Sequence, residues 1–128
     1  MAAPLFDAAV AKVQSIILSY PGSNGASASV FKFQNPQKWQ IIRVAAHNKA
    51  KGGTQGVSTL DVQVGGVSVL SAAIDLTGTA DTFIEGTLAA SPTVVAKDSV
   101  ITVPLTITGG TSPTISDAHV QIDYIPRD

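Results

Sequence analysis

Two histidines and a scatter of carboxylates are the residues of this chain best equipped for chemistry. His47 closes a run of alternating residues and is followed by a Lys-rich stretch. His119 alternates with apolar positions, so it faces outward from its strand. A nucleophile–histidine–carboxylate arrangement needs a serine aimed at one of these rings. The sequence holds no G-x-S-x-G elbow that would present one. Both histidines therefore read as surface or inter-subunit residues, and no catalytic residue is expected. The carboxylates are Asp7, Asp61, Asp75, Asp81, Glu85, Asp98, Asp117, Asp123 and Asp128. Two of them meeting in space could support glycoside hydrolysis, but their positions at turns and strand faces suit solvated side chains. Asp75, Asp81 and Glu85 are the only candidates for a calcium loop, and their spacing fits no defined one. No metal or cofactor is expected.

The glycines of Lys51–Gly56 lack the G-x-x-x-x-G-K-[ST] order of a phosphate cradle, and no helical pattern follows them. They read as part of an exposed loop over Asn48–Gly56, whose Lys49 and Lys51 could meet an acidic partner. Trp39 is the only tryptophan. It reads as a core or subunit-contact residue, because large aromatics dominate the energetics of both settings. Aromatics make up 5% of the chain, poor provision for the exposed platforms that sugar-binding surfaces use.

The elements that would position these residues are strands. Leu60, Val62 and Val64 alternate with Asp61 and Gln63, the period-two signature of a strand with one wet face. Gly65-Gly66 then separates them from Val67–Val69, a hairpin signal. Val30–Gln34, Trp39–His47, Ala73–Leu76, Phe83–Leu88, Val100–Thr108 and Ala118–Tyr124 read as further strands. Within Trp39–His47, the alternation puts Ile42, Val44 and Ala46 on one face. Pro104 cannot donate to a ladder, which places its strand at an edge or a bulge. Gly109–Thr114 reads as a turn. The expected core contains Phe31, Phe33, Ile42, Val44, Leu60, Val62, Val64, Ile101, Val103, Val120 and Ile122.

Residues 1–20 admit two readings. Leu5, Phe6, Ala9, Val10, Val13, Ile16, Ile17 and Tyr20 recur at helical spacing. The β-branched second half favours an arm or short helix over 1–12 followed by a strand over Val13–Tyr20, with a single helix over 5–19 as the competitor. Pro21-Gly22 ends either one. About eight short strands with turns between them, and no helices between strands, imply an all-β antiparallel sandwich over residues 13–128.

The chain of 128 residues suits one domain of this kind. Charged residues make up 13% of it, about half the usual share. The net charge of −1 offers nothing to attract a phosphate backbone, so a nucleic-acid partner is not expected. No apolar run approaches the ~20 residues of a membrane-spanning helix, the N-terminus makes a poor signal peptide, and no cysteine is available for disulfides or thiol chemistry.

The run Ile42-x-Val44-x-Ala46, the Gly/Thr-rich stretch after it, and Thr59-x-Asp61-Val62-x-x-Gly65-Gly66-x-Ser68-Val69-Leu70 resemble the small β-sandwich decoration, or cement, proteins of tailed-phage capsids. Val95-Ala96-Lys97-Asp98-Ser99-Val100-Ile101-Thr102-Val103 resembles the same group. The likeness covers residues 13–125. It implies a jelly-roll-like sandwich, commonly a homotrimer, seated on the major capsid protein at the virion surface, with a scaffold role and no catalytic residue. Contacts would come from Leu5, Phe6, Val10, Ile16 and Ile17 of the arm, with Trp39, Lys49 and Lys51. A tail- or fibre-associated receptor- or carbohydrate-binding sandwich is the alternative; an enzyme would need a concave site with converging polar groups.

Overall fold

The computed structural model describes residues 13–25, 27–78, 80–90 and 92–127. Leu5, Phe6 and Val10 lie outside them, as does the arm or helix expected over 1–12. The described residues form ten strands and no helix. Over these residues the chain is an all-β antiparallel sandwich, as its alternation implies.

One strand carries the others. β10 (Val100–Arg127) runs for 28 residues and pairs on both sides. On one side lie β1 (Gln14–Asn24) and β2 (Ser27–Gln34). On the other lie β3 (Lys38–His47) and β4 (Ala50–Leu60), which Lys49 N–H to Ser116 O (2.9 Å) joins into nearly one ladder. Short strands finish the sheet: β5 (Gln63–Val64) and β6 (Val67–Ser68) form the Gly65-Gly66 hairpin beside Ile101 and Thr102. β7 (Ile74–Asp75) lies on β4, and β8 (Ile84–Glu85) and β9 (Thr93–Val95) lie on β3.

This three-strand ribbon folds over itself. Ile115 pairs with Asn24 and Ile107 with Ser27. Three residues of chain span at most about 11 Å, whereas eight residues of straight strand span about 27 Å. The ribbon therefore bends sharply between Ile107 and Ile115. Left-handed backbone at Gly109, Gly110 and Ser112 makes the bend. It brings Ile101, Val103, Leu105 and Ile107 of one layer into a common core with Ile41, Val44, Val120 and Ile122 of the other. The Tyr20 hydroxyl, on β1, crosses the layers to donate to the Val103 carbonyl.

Several expectations are corrected here. Asn48–Gly56 is not a loop: Ala50–Leu60 is strand β4, and its glycines serve close approach. A Cβ on Gly53 would lie 2.1 Å from the Ser112 carbonyl oxygen. Gly109–Thr114 is likewise not a turn but the bent middle of β10. Pro21-Gly22 does not end β1. Instead the two residues oppose Asp117 in a bulge, where Asp117 Oδ1 accepts the Gly22 N–H at 2.8 Å. The competing helix over 5–19 fails over its described part, because Gln14–Ser19 are strand. Of Phe83–Leu88, only Ile84–Glu85 is strand.

Ile42 is not core. It is the extra residue of a bulge between Arg43↔Asp123 and Ile41↔Tyr124, so Ile41 turns inward and Ile42 is 39% exposed. Phe31 pairs with Val103 and faces inward, yet stays 37% exposed because β2 has no strand beyond it among the described residues. Phe33 and Val64 are half-buried, and the other expected core residues are buried.

Pro104 lies mid-sheet rather than at an edge. The β4 and β5 ladders break at Asp61-Val62, directly opposite it. The Pro104 carbonyl accepts the Asp61 N–H at 3.1 Å on that side, and its missing donor falls in the same gap. Asp61 Oδ1 fills the break by accepting from Val62 N (2.8 Å) and Ser68 Oγ (2.7 Å).

Candidate functional site

The outer face of the layer built by β1, β10, β3 and β8 gathers the polar side chains in rows set by strand register. His119 pairs directly with His47 across β10 and β3, and Ser19 extends that row on β1. The next row holds Ile17 and Gln121; the third holds Ser15, Asp123 and Arg43.

The two imidazole rings lie 4.8 Å apart between centroids, and Phe83 packs against both, 4.7 Å from His47 and 5.6 Å from His119. Asp81 Oδ1 stands 3.1 Å from His47 Nε2. The buried Asn48 holds Asp81 there: its carbonyl accepts the Asp81 N–H at 2.7 Å, with Asp81 in the left-handed region at φ 55°. Sequence reasoning named both histidines and Asp81 but did not join them. Their meeting depends on a strand register between residues seventy-two positions apart, for which neither residue's neighbours give a signal.

A histidine base needs a carboxylate on one ring nitrogen and a nucleophile on the other. Asp81 occupies Nε2. The remaining nitrogen, Nδ1, is buried and has no hydrogen-bond partner among the described residues. His119 Nδ1 lies 3.4 Å from the Asp117 carbonyl oxygen. The cluster is an aromatic and hydrogen-bonded contact between a loop and two strands.

The third row is an ion-pair ladder. Arg43 reaches Glu85 (3.1 Å) on one side and Asp123 (3.5 Å) on the other. Asp123 also accepts from Ser15 Oγ (2.6 Å) and Gln121 Nε2 (2.9 Å). Burial pushes the Asp123 carboxyl up, but the hydrogen bonds from Gln121 and Ser15, with the Arg43 charge, outweigh it and leave it below the usual range. A carboxyl lower in the folded state than in the unfolded one stabilises the fold above the ordinary carboxylate pKa. That contribution is lost as the pH falls through the folded value. Asp123→Asn is therefore expected to flatten the loss of thermal stability below about pH 4. Melting curves from pH 7 to pH 2 check it.

The calcium candidates do not converge. Asp75 accepts from Thr77 N (2.7 Å), Asp81 meets His47 and Glu85 meets Arg43. No group of three metal-ligating side chains forms among the described residues. Hydrogen bonds from Thr77, opposed by burial and aided by Lys51, hold the Asp75 carboxyl below its usual range.

The expected contact residues divide. Trp39 is buried at 3% exposure, stacked on Tyr124 with centroids 4.0 Å apart, so it belongs to the core and not to a surface contact. Ile16 packs against the core, while Ile17 points out at 59% exposure. Lys49 is exposed; the half-buried Lys51 donates its Nζ to the Thr77 carbonyl within the chain. A shallow apolar groove of ≈ 340 Å³ opens between the β5–β6 hairpin and the approach to β9, lined by Val64, Val67, Val69, Ala89, Pro92 and Val94 among others. No aromatic residue lines it among the described residues.

No protein-family model matches the sequence, and no curated protein matches it. Among solved structures, the chain is similar to a family 35 carbohydrate binding module from Clostridium thermocellum, at 12% identity over 84% of this chain and 97% of that one, with a TM-score of 0.40. It is also similar to a protein of the Bacillus endospore appendages, which form disulfide-linked pili, at 14% identity over 91% of this chain and 90% of that one, with a TM-score of 0.34. At these identities the likeness is one of all-β architecture and extends to nothing else.

Proposed function

We propose that this protein is a decoration (cement) protein of a tailed-phage capsid, a non-enzymatic sandwich that binds the major capsid protein as a homo-oligomer and stabilises the head shell. The observation that carries this reading is the unequal treatment of the two sides of the sheet. Short strands β5 to β9 cover one side; on the other, β1 and β2 meet no further strand among the described residues. Their residues 13–34 contain one charged side chain, Lys32. Monomeric proteins guard such edges with charges, prolines, bulges or covering segments; here Lys32 and the Pro21-Gly22 bulge do so locally, and Gln14–Ser19 carry none of them. A bare, weakly charged edge suits a protein that works among neighbours. The resemblance of Trp39–Leu76 to decoration proteins supports the shell as the setting, and several weak contacts per oligomer would add through multivalency. The carbohydrate-binding alternative has less behind it: Trp39 and Tyr20 are core residues, and the apolar groove offers no aromatic platform.

Co-sedimentation tests the proposal. Purified protein should bind saturably to phage heads lacking it, and His47→Ala/His119→Ala should bind equally well. Binding to isolated tails or to host glycans, with none to heads, would overturn it.

A further inference from the structure

We propose that the β1 edge, centred on Ile17, is a self-complementary surface that pairs antiparallel with β1 of a second copy about a two-fold axis. The inference rests only on the homo-oligomeric part of the reading above, and it sets a two-fold dimer in place of the homotrimer that the resemblance implies.

On one edge, β1 is bonded to β10 from Gln14 to Asn24; on the other, no strand meets Gln14–Ser19 among the described residues. An edge strand presents a row of backbone donors and acceptors, a template for another strand. Charge decides which part of the edge can meet its own copy. Val13–Tyr20 carries no charged residue, whereas β2 carries Lys32. Like charges placed opposite each other destabilise a strand pair, so β1 against β1 is favoured over β2 against β2.

The side chains around Ile17 are also complementary under a two-fold rotation. An axis through Ile17 sets it against Ile17 of the second copy, Ser15 against Ser19, and Ile16 against Leu18. On the outer face, the exposed Ile17 pair becomes a cross-strand contact between β-branched side chains, flanked by serine pairs. On the inner face, Ile16 and Leu18, each packed at the margin of the core, extend the apolar layer across the axis. The result is a continuous sheet through both copies, β3-β10-β1 meeting β1-β10-β3. Closed two-fold association consumes the β1 edge, and this contact does not propagate into a fibre. Val13 then lies opposite Pro21 of the second copy.

A cysteine test reads this register directly, because the chain has no cysteine of its own. Directly opposed residues of an antiparallel pair have Cα atoms about 4.5–5.5 Å apart, inside the ~4.4–6.8 Å that a disulfide spans. Mild oxidation of Ile17→Cys should give a covalent dimer on non-reducing gels. Val30→Cys, exposed on β2 away from the axis, should stay monomeric. By light scattering the native protein should have twice the 13.1 kDa protomer mass, and Ile17→Lys should fall to 13.1 kDa with its circular dichroism unchanged. A native monomer, a native trimer, or a dimer in which Cys at position 17 fails to cross-link would overturn the proposal. Failure of head binding with this dimer intact would overturn only the decoration reading.

Discussion

Gly110→Ala is expected to cost the fold at least about 3 kcal/mol, because it combines backbone strain with a collision between strands. Gly110 sits at φ 67° in the bend of β10, where a side chain is strained whatever space surrounds it. Here no space exists: an added Cβ would lie 1.7 Å from the Thr54 carbonyl oxygen and 2.9 Å from Gly56 N. Both obstacles are backbone of β4, so relief requires the ribbon to part where it folds over. The two layers share one core only because of that fold, and the damage reaches the whole sandwich. Gly78→Ala, with nothing near its Cβ and no left-handed backbone, should change stability by less than about 0.5 kcal/mol. Paired denaturant titrations of the two variants measure the difference.

Trp39→Ala is expected to destabilise the protein by about 3–5 kcal/mol, a large share of the ~5–15 kcal/mol that holds a typical domain together. The ring is almost wholly buried, stacks on Tyr124 and lies 6.1 Å from Phe33. It joins β3 to the end of β10 and to β9, whose Val95 is its strand partner. A Trp39 acting at a subunit contact would give a folded protein with weakened assembly. The core position instead predicts a lower melting temperature at every protein concentration, measured by circular dichroism.

Alternation made the main strands legible. Ile101, Val103, Leu105 and Ile107 are buried in unbroken period two, and Val120 and Ile122 follow the same rule after Asp117 shifts the phase. What the sequence hid are places where a second strand decides the outcome. The bulge that turns Ile42 out exists only in the pairing with Asp123 and Tyr124. The glycines of Lys51–Gly56 look like a loop because loops and close strand approaches both demand glycine, and only the partner at Thr108–Thr114 tells them apart. Pro104 sits mid-sheet because Asp61 opens a gap opposite it, forty-three residues earlier in the chain. In the same way, His47, His119 and Asp81 were each visible as polar residues, but their meeting was set by register and by the Asn48 hydrogen bond. The outward residue on which the two-fold pairing centres, Ile17, was visible as an apolar contact candidate. Its place on an uncovered edge follows from the sheet order.

The most direct test of the decoration reading is a heat challenge of phage heads with and without this protein. Heads stripped of it should release their contents at a lower temperature than native heads, and adding the purified protein back should restore the original value. Stripped and native heads that fail at the same temperature, with no effect of re-addition, would contradict a stabilising role on the shell.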